Sequence, residues 1–129
     1  MKNQLITILS SFFCYLILTN SIQAQESIFD KLNAIATVDE KVMMPMRDGV
    51  RLASDIYRPK EAGKYPIIFS RTPYNFNSWG DGEQRTRTAK SAYEYVKKGY
   101  AYVVQNERGR FYSEGEWDIL GVPLTDGYD

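Results

Sequence analysis

Tyr65-Pro66-Ile67-Ile68-Phe69-Ser70 and Tyr100-Ala101-Tyr102-Val103-Val104 are two short apolar runs. Each is continuous rather than alternating, the pattern of a strand buried on both faces of a sheet. Between them, from Thr86 to Lys98, Ala89, Ala92, Tyr93 and Val96 recur at three- and four-residue spacing. That is the period of an amphipathic helix. Lys97 and Lys98 suit its negative end and Gly99 stops it. Two apolar strands joined by a helix predict a parallel pair with a crossover, and hence an α/β fold. The stretch from Asn75 to Gln84 is rich in Asn, Gly and Asp and predicts an irregular loop between the first strand and the helix.

Upstream, the period changes to two. Val42 and Met44 alternate with polar neighbours, and Val50, Leu52, Ser54 and Ile56 alternate again after Arg47-Asp48-Gly49. An Asp-Gly turn between two such runs predicts an antiparallel hairpin. Pro59 ends its second strand, and Lys60 to Lys64 form a polar loop. Earlier still, Ile28, Phe29, Leu32 and Ile35 are spaced as a short helix or an adaptable arm over residues 25–39. The N-terminus reads as an address: Lys2, an apolar stretch from Leu5 to Leu18, then Ser21-Ile22-Gln23-Ala24. This is the layout of a secretory signal peptide over residues 1–24, with Ala24 the last residue removed. The competing reading, an uncleaved membrane anchor, asks for a longer apolar run. Cys14 is the sole cysteine and lies inside this segment, so an exported mature chain is held by its core without disulfides.

Composition narrows the function. Sixteen basic side chains balance sixteen acidic ones in 129 residues. A chain with no net charge lacks the basic surface of a dedicated nucleic-acid binder and the polybasic patch of a membrane-surface protein. There is no histidine. A Ser-His-Asp triad, a Cys-His dyad or a histidine-based zinc site therefore cannot be completed within these residues, and no cofactor is implied. The hairpin, the strand-helix-strand unit and an open apolar sheet edge together predict an incomplete sheet, the N-terminal part of a larger α/β fold.

Four segments in order carry a resemblance: Met46-Arg47-Asp48-Gly49-Val50-Arg51-Leu52; Asp55-Ile56-Tyr57-Arg58-Pro59; Arg71-Thr72-Pro73-Tyr74-Asn75; and Val103-Val104-Gln105-Asn106-Glu107-Arg108-Gly109-Arg110 with Ser113-Glu114-Gly115-Glu116. This set resembles the beginning of the cocaine esterase-like (CocE/NonD) serine hydrolases, whose catalytic domain is shared with Xaa-Pro dipeptidyl peptidases. It is also similar to the α-amino-acid ester hydrolases and glutaryl-cephalosporin acylases. One departure is Asn106, where many relatives carry an aspartate. The resemblance implies that residues 40–129 are the N-terminal portion of an α/β-hydrolase domain, ending before the nucleophile elbow. No Gly-x-Ser-x-Gly occurs, and the elbow would follow the next helix and strand. It implies a serine hydrolase acting on a small-molecule ester, amide or peptide, with this chain inactive alone; the N-terminal address makes that hydrolase an exported one. The alternatives are a small exported binding module without catalysis, or a relic of a hydrolase gene.

Within the resemblance, Tyr74 matches the tyrosine whose hydroxyl donates to the oxyanion. It follows the third strand, where α/β-hydrolases place the second oxyanion donor, and Pro73 restricts the backbone before it. The plainer reading is that Tyr74, one of ten tyrosines, covers the sheet. Phe76 and Trp79 either line an acyl pocket beside Tyr74 or pack the loop. Arg108 and Arg110 either touch substrate or pack against carboxylates. Glu114, Glu116 and Asp118 form either an oxygen-ligand cation site or a solvated acidic loop, the simpler reading. Arg85, Arg87 and Lys90 read as one solvated helix face.

Overall fold

The computed structural model describes residues 26–76, 82–118 and 125–127. The signal-peptide reading of residues 1–24, Cys14 and the predicted site residue Trp79 lie outside them. The first element of the described residues is helix α1 (Ile28–Ile35). Ser27 caps it by a reciprocal box: its side chain accepts from the Asp30 amide, and the Asp30 carboxylate accepts from the Ser27 amide, so two otherwise orphaned donors are satisfied. Strand β1 (Ala36–Pro45) follows without a break. Residues 36–39 therefore belong to the sheet and not to the N-terminal arm. A bulge between Asp39 and Val42 shifts the register, which hides the period of two from a reading of the sequence. Lys41 occupies this bulge at a φ of 54°, and its amide donates to Asp55 Oδ1 at 2.8 Å.

The predicted hairpin is present. β1 pairs antiparallel with β2 (Arg51–Pro59) through the turn at Arg47-Asp48-Gly49, closed by Met46 N–H to Val50 C=O at 2.8 Å. Strand β3 (Ile67–Thr72), helix α2 (Gly82–Val96) and strand β4 (Ala101–Asn106) then form the parallel strand-helix-strand unit. The helix begins four residues before Thr86, in a polar stretch without apolar period. An ion pair from Arg87 back to Glu83 supports this first turn. It ends in a Schellman motif: Gly99 N–H donates to Val96 C=O and Tyr100 N–H to Tyr95 C=O, with Gly99 at a φ of 84° that only glycine takes without strain.

The sheet order is β1-β2-β4-β3, with β2 and β4 antiparallel. Both helices pack on one face, where Leu32, Tyr57, Ala89, Ala92, Val96, Tyr102 and Val104 form the core. β4 is buried throughout, as its apolar run predicted. β3 corrects the other expectation. It stands at the sheet's edge, and Ile67 and Phe69 are 63% and 47% exposed. Ile68 meets the helices, whereas Ile67, Phe69 and Arg71 take the opposite face, which no layer covers among the described residues.

Candidate functional site at the carboxyl ends of the parallel strands

Thr72 and Asn106 are the last residues of β3 and β4 and face each other in the parallel register. Open α/β sheets hold their ligands beyond this carboxyl edge. β3 leaves the edge as Pro73-Tyr74-Asn75-Phe76, and the backbone of this loop is fastened from below. Tyr74 N–H donates to Thr72 Oγ1 at 3.1 Å. Three carbonyls are each held by a side chain from another element. Arg110 Nε donates to Pro73 O at 3.1 Å, Asn106 Nδ2 to Tyr74 O at 2.9 Å, and Thr88 Oγ1, from α2, to Phe76 O at 3.0 Å. The ring of Tyr74 stands out from this fastened backbone, 70% exposed. A phenol so placed is a neutral donor on a fixed support.

The other predicted residues divide. Phe76 is 2% exposed and packs in the core with the two helices, so it supports the loop and has no face to offer a substrate; its pocket-lining reading is corrected to packing. Arg108 does pack against carboxylates. Its Nε and Nη2 donate to the two oxygens of Asp126 at 3.0 and 2.6 Å, and its Nη1 lies 2.8 Å from Asp48 Oδ2. These partners raise the guanidinium's pKa, Asp126 first, and hold the Asp48 carboxyl below its ordinary range. Arg110 instead takes the Pro73 carbonyl, and its guanidinium lies over the Trp117 and Phe111 rings at 4.5 and 5.2 Å. Glu114 gives its carboxylate to Arg51, accepting from the backbone amide and from Nε, each at 3.0 Å. Among the described residues no group of three His, Cys, Asp or Glu converges to hold a metal. Arg85 is not merely solvated: it pairs with Glu40 at 3.2 Å and lies 5.2 Å from the Phe29 ring.

A polar network runs along the face opposite the helices. Arg71 donates through Nε and Nη2 to Gln105 Oε1 at 3.0 and 2.7 Å and also to the Asp126 carbonyl. Gln105 Nε2 donates on to Ser54 Oγ at 3.0 Å. Burial lowers the Arg71 pKa against the pull of the Asp126 and Glu107 charges. Asn106, Thr88 and Asp126 escape a reading of the sequence. Each works through a contact 12 to 32 residues away along the chain, and no local spacing announces such a contact.

The sequence pattern of the X-Pro dipeptidyl-peptidase (S15) family matches residues 48–129. The chain is 46% identical over 91 residues to the cocaine esterase of Rhodococcus sp. (strain MB1 Bresler), covering 70% of this chain and 14% of that protein. Among solved structures it is similar to an α-amino acid ester hydrolase, with a TM-score of 0.53 and 30% identity over 78% of this chain and 17% of the other. It is also similar to an aminopeptidase from a marine sediment archaeon (Thaumarchaeota archaeon), with a TM-score of 0.52 and 32% identity over 82% of this chain and 17% of the other. The chain thus spans about one-seventh to one-sixth of the length of these relatives.

Proposed function

Because the chain belongs to the X-Pro dipeptidyl-peptidase (S15) family, we propose that it is the part of an exported serine hydrolase that presents the oxyanion-stabilising hydroxyl, Tyr74. The observation that carries this reading is the fastened loop at the carboxyl ends of β3 and β4, with three carbonyls held from outside and the phenol free above them. Stabilising an oxyanion calls for donors fixed in advance where negative charge develops.

The chain has no histidine, so in the full-length hydrolase proposed here the Ser-His-Asp triad is completed by residues outside this chain. The serine Oγ attacks an ester, amide or peptide carbonyl while the histidine takes its proton. The carbonyl oxygen gains the charge and accepts hydrogen bonds from the Tyr74 hydroxyl and from the backbone amide after the serine. Collapse expels the leaving group, protonated by the same histidine, and water then repeats the sequence to release the acid. Tyr74 keeps its proton throughout. This chain alone turns over no substrate. Residues 1–24 direct export and are removed after Ala24.

The test is Tyr74→Phe in the full-length protein, assayed on a p-nitrophenyl ester. We expect kcat to fall by about 10²–10³, or about 2.7–4 kcal/mol, with KM little changed. Unchanged kcat would remove Tyr74 from the reaction. Mass spectrometry of the secreted protein tests export: the expected mature N-terminus is Gln25.

A further inference from the structure

Asn106 is fully buried at the end of β4. Its amide has two ends with different fates. Nδ2 reaches across to the Tyr74 carbonyl at 2.9 Å. Oδ1, shut away from solvent, meets no donor among the described residues. An unpartnered buried acceptor costs on the order of 1–3 kcal/mol in a protein interior, so a polar residue in this place works against the stability of the sheet. Such a residue is explained when the one bond it makes does something the fold alone does not require. That bond fixes the carbonyl of the residue whose hydroxyl faces the reaction. The rest of Asn106 is also held in place. Its carbonyl accepts from Ser113 Oγ at 3.0 Å, the same hydroxyl that accepts from Ala53 N–H at 3.0 Å. Its strand neighbour across the register is Thr72, whose Oγ1 takes the Tyr74 amide. Both polar groups of the Tyr74 peptide backbone are thus held by the terminal residue pair of the two parallel strands.

We propose that Asn106 is the positioning residue of the Tyr74 hydroxyl. It acts on the reaction only through the Tyr74 backbone, by fixing the origin from which the phenol reaches the oxyanion. The inference rests on the reading of Tyr74 as an oxyanion donor and goes one residue deeper. Leucine has the same number of side-chain heavy atoms and the same branch point as asparagine, with apolar groups in place of the amide. Asn106→Leu removes the donor to Tyr74 and, with it, the orphaned acceptor. A residue that served the fold would lose stability on this change, whereas a positioning residue loses rate.

The experiment is a double-mutant cycle in the full-length protein: wild type, Tyr74→Phe, Asn106→Leu and the double variant, each with kcat, KM and a thermal midpoint. We expect Asn106→Leu to lower kcat about 10- to 100-fold, the scale of a misplacement of about 1 Å, with KM within about twofold and the midpoint not lowered. In the Tyr74→Phe background it should cost nothing more. An equal loss in both backgrounds, a fall in midpoint that accounts for the lost rate, or wild-type kcat in Asn106→Leu beside a slow Tyr74→Phe would each overturn the role of Asn106 and leave Tyr74 standing. Wild-type kcat in Tyr74→Phe would overturn the reading of Tyr74 itself. Asn106→Ala, which opens space instead of filling it, takes the same place in the cycle if the leucine variant does not fold.

Discussion

Arg108 divides its guanidinium between the hairpin turn, through Asp48, and the segment 125–127, through a two-point contact with Asp126. The Asp126 side chain has no exposed surface. Removing its partner leaves a buried charge uncompensated, so Arg108→Ala should destabilise the protein by about 3–5 kcal/mol, whereas Asp126→Asn, which removes the charge, should cost less. Urea unfolding of the full-length variants checks both. The exposed ends of such pairs respond to acid. Arg108 and the Val50 amide hold Asp48 below its ordinary 3.8, and Arg51 holds Glu114 below its ordinary 4.5. A carboxyl depressed in the folded state adds stability that is complete above its unfolded value and lost as pH falls through the folded one. The urea midpoint of wild type should therefore hold from pH 7 to about 4.5 and fall below it, and should fall less steeply in Asp48→Asn/Glu114→Gln. A flat wild-type profile to pH 3 would contradict the shifts. Gly109 is equally constrained. At a φ of 67°, a Cβ there would sit 2.3 Å from the Trp117 nitrogen and 2.6 Å from the Glu116 carbonyl carbon. Gly109→Ala should cost more than about 2 kcal/mol, beyond the left-handed strain alone, read as a lowered thermal midpoint. The place of Tyr74 just past a strand was legible in the sequence, because the apolar run ends and Pro73 follows it. The Pro73, Tyr74 and Phe76 carbonyl clamps were not, because side-chain type says nothing of which distant carbonyl a donor will reach.

Elements were legible where one local rule acted alone. The apolar spacing of α2 and its Gly99 stop, the Asp48-Gly49 turn and the uniform run of β4 each follow from a single period or a single backbone requirement. Two competing rules obscured the rest. In β1 a bulge at Lys41 breaks the alternation that would have marked the strand from Ala36. In α2 the first turn is carried by polar residues that have no apolar period to show. The cap of α1 makes a plain case for testing an element by one residue. Its Ser27 hydroxyl and Asp30 carboxylate satisfy each other's amides, and replacing a capping serine by alanine costs typically about 1 kcal/mol. Ser27→Ala should lower stability by that amount, and Asp30→Ala should lower it as well. Their effects should fall short of additive, since either change breaks the same box. Additive losses would mean that the two side chains act separately.

The run Tyr65–Ser70 reads as a doubly buried strand, yet β3 lies on an edge with Ile67 and Phe69 largely in solvent. The two observations are reconciled if the residues are matched to a sheet larger than the four strands described, in a chain that spans about one-seventh to one-sixth of its relatives. An exposed apolar edge with unpaired backbone groups is a template for further pairing. Tyr74, Phe111, Tyr112 and Trp117 add exposed rings beyond it. Residues 25–129 produced alone should therefore self-associate, with scattering that grows with concentration, and should turn over no ester. Phe69→Lys places a charge on the open face beside Val103 and should suppress that association in the excised segment. The same change in the full-length protein should have the opposite consequence. If a further layer covers this face there, burying an unpaired lysine should cost several kcal/mol. One substitution that improves the part and damages the whole is the signature of an edge completed elsewhere in the chain. A monomeric, cooperatively melting segment 25–129, indifferent to Phe69→Lys, would instead mean that this segment suffices for a stable fold, and that the apolar run of β3 has no partner to wait for.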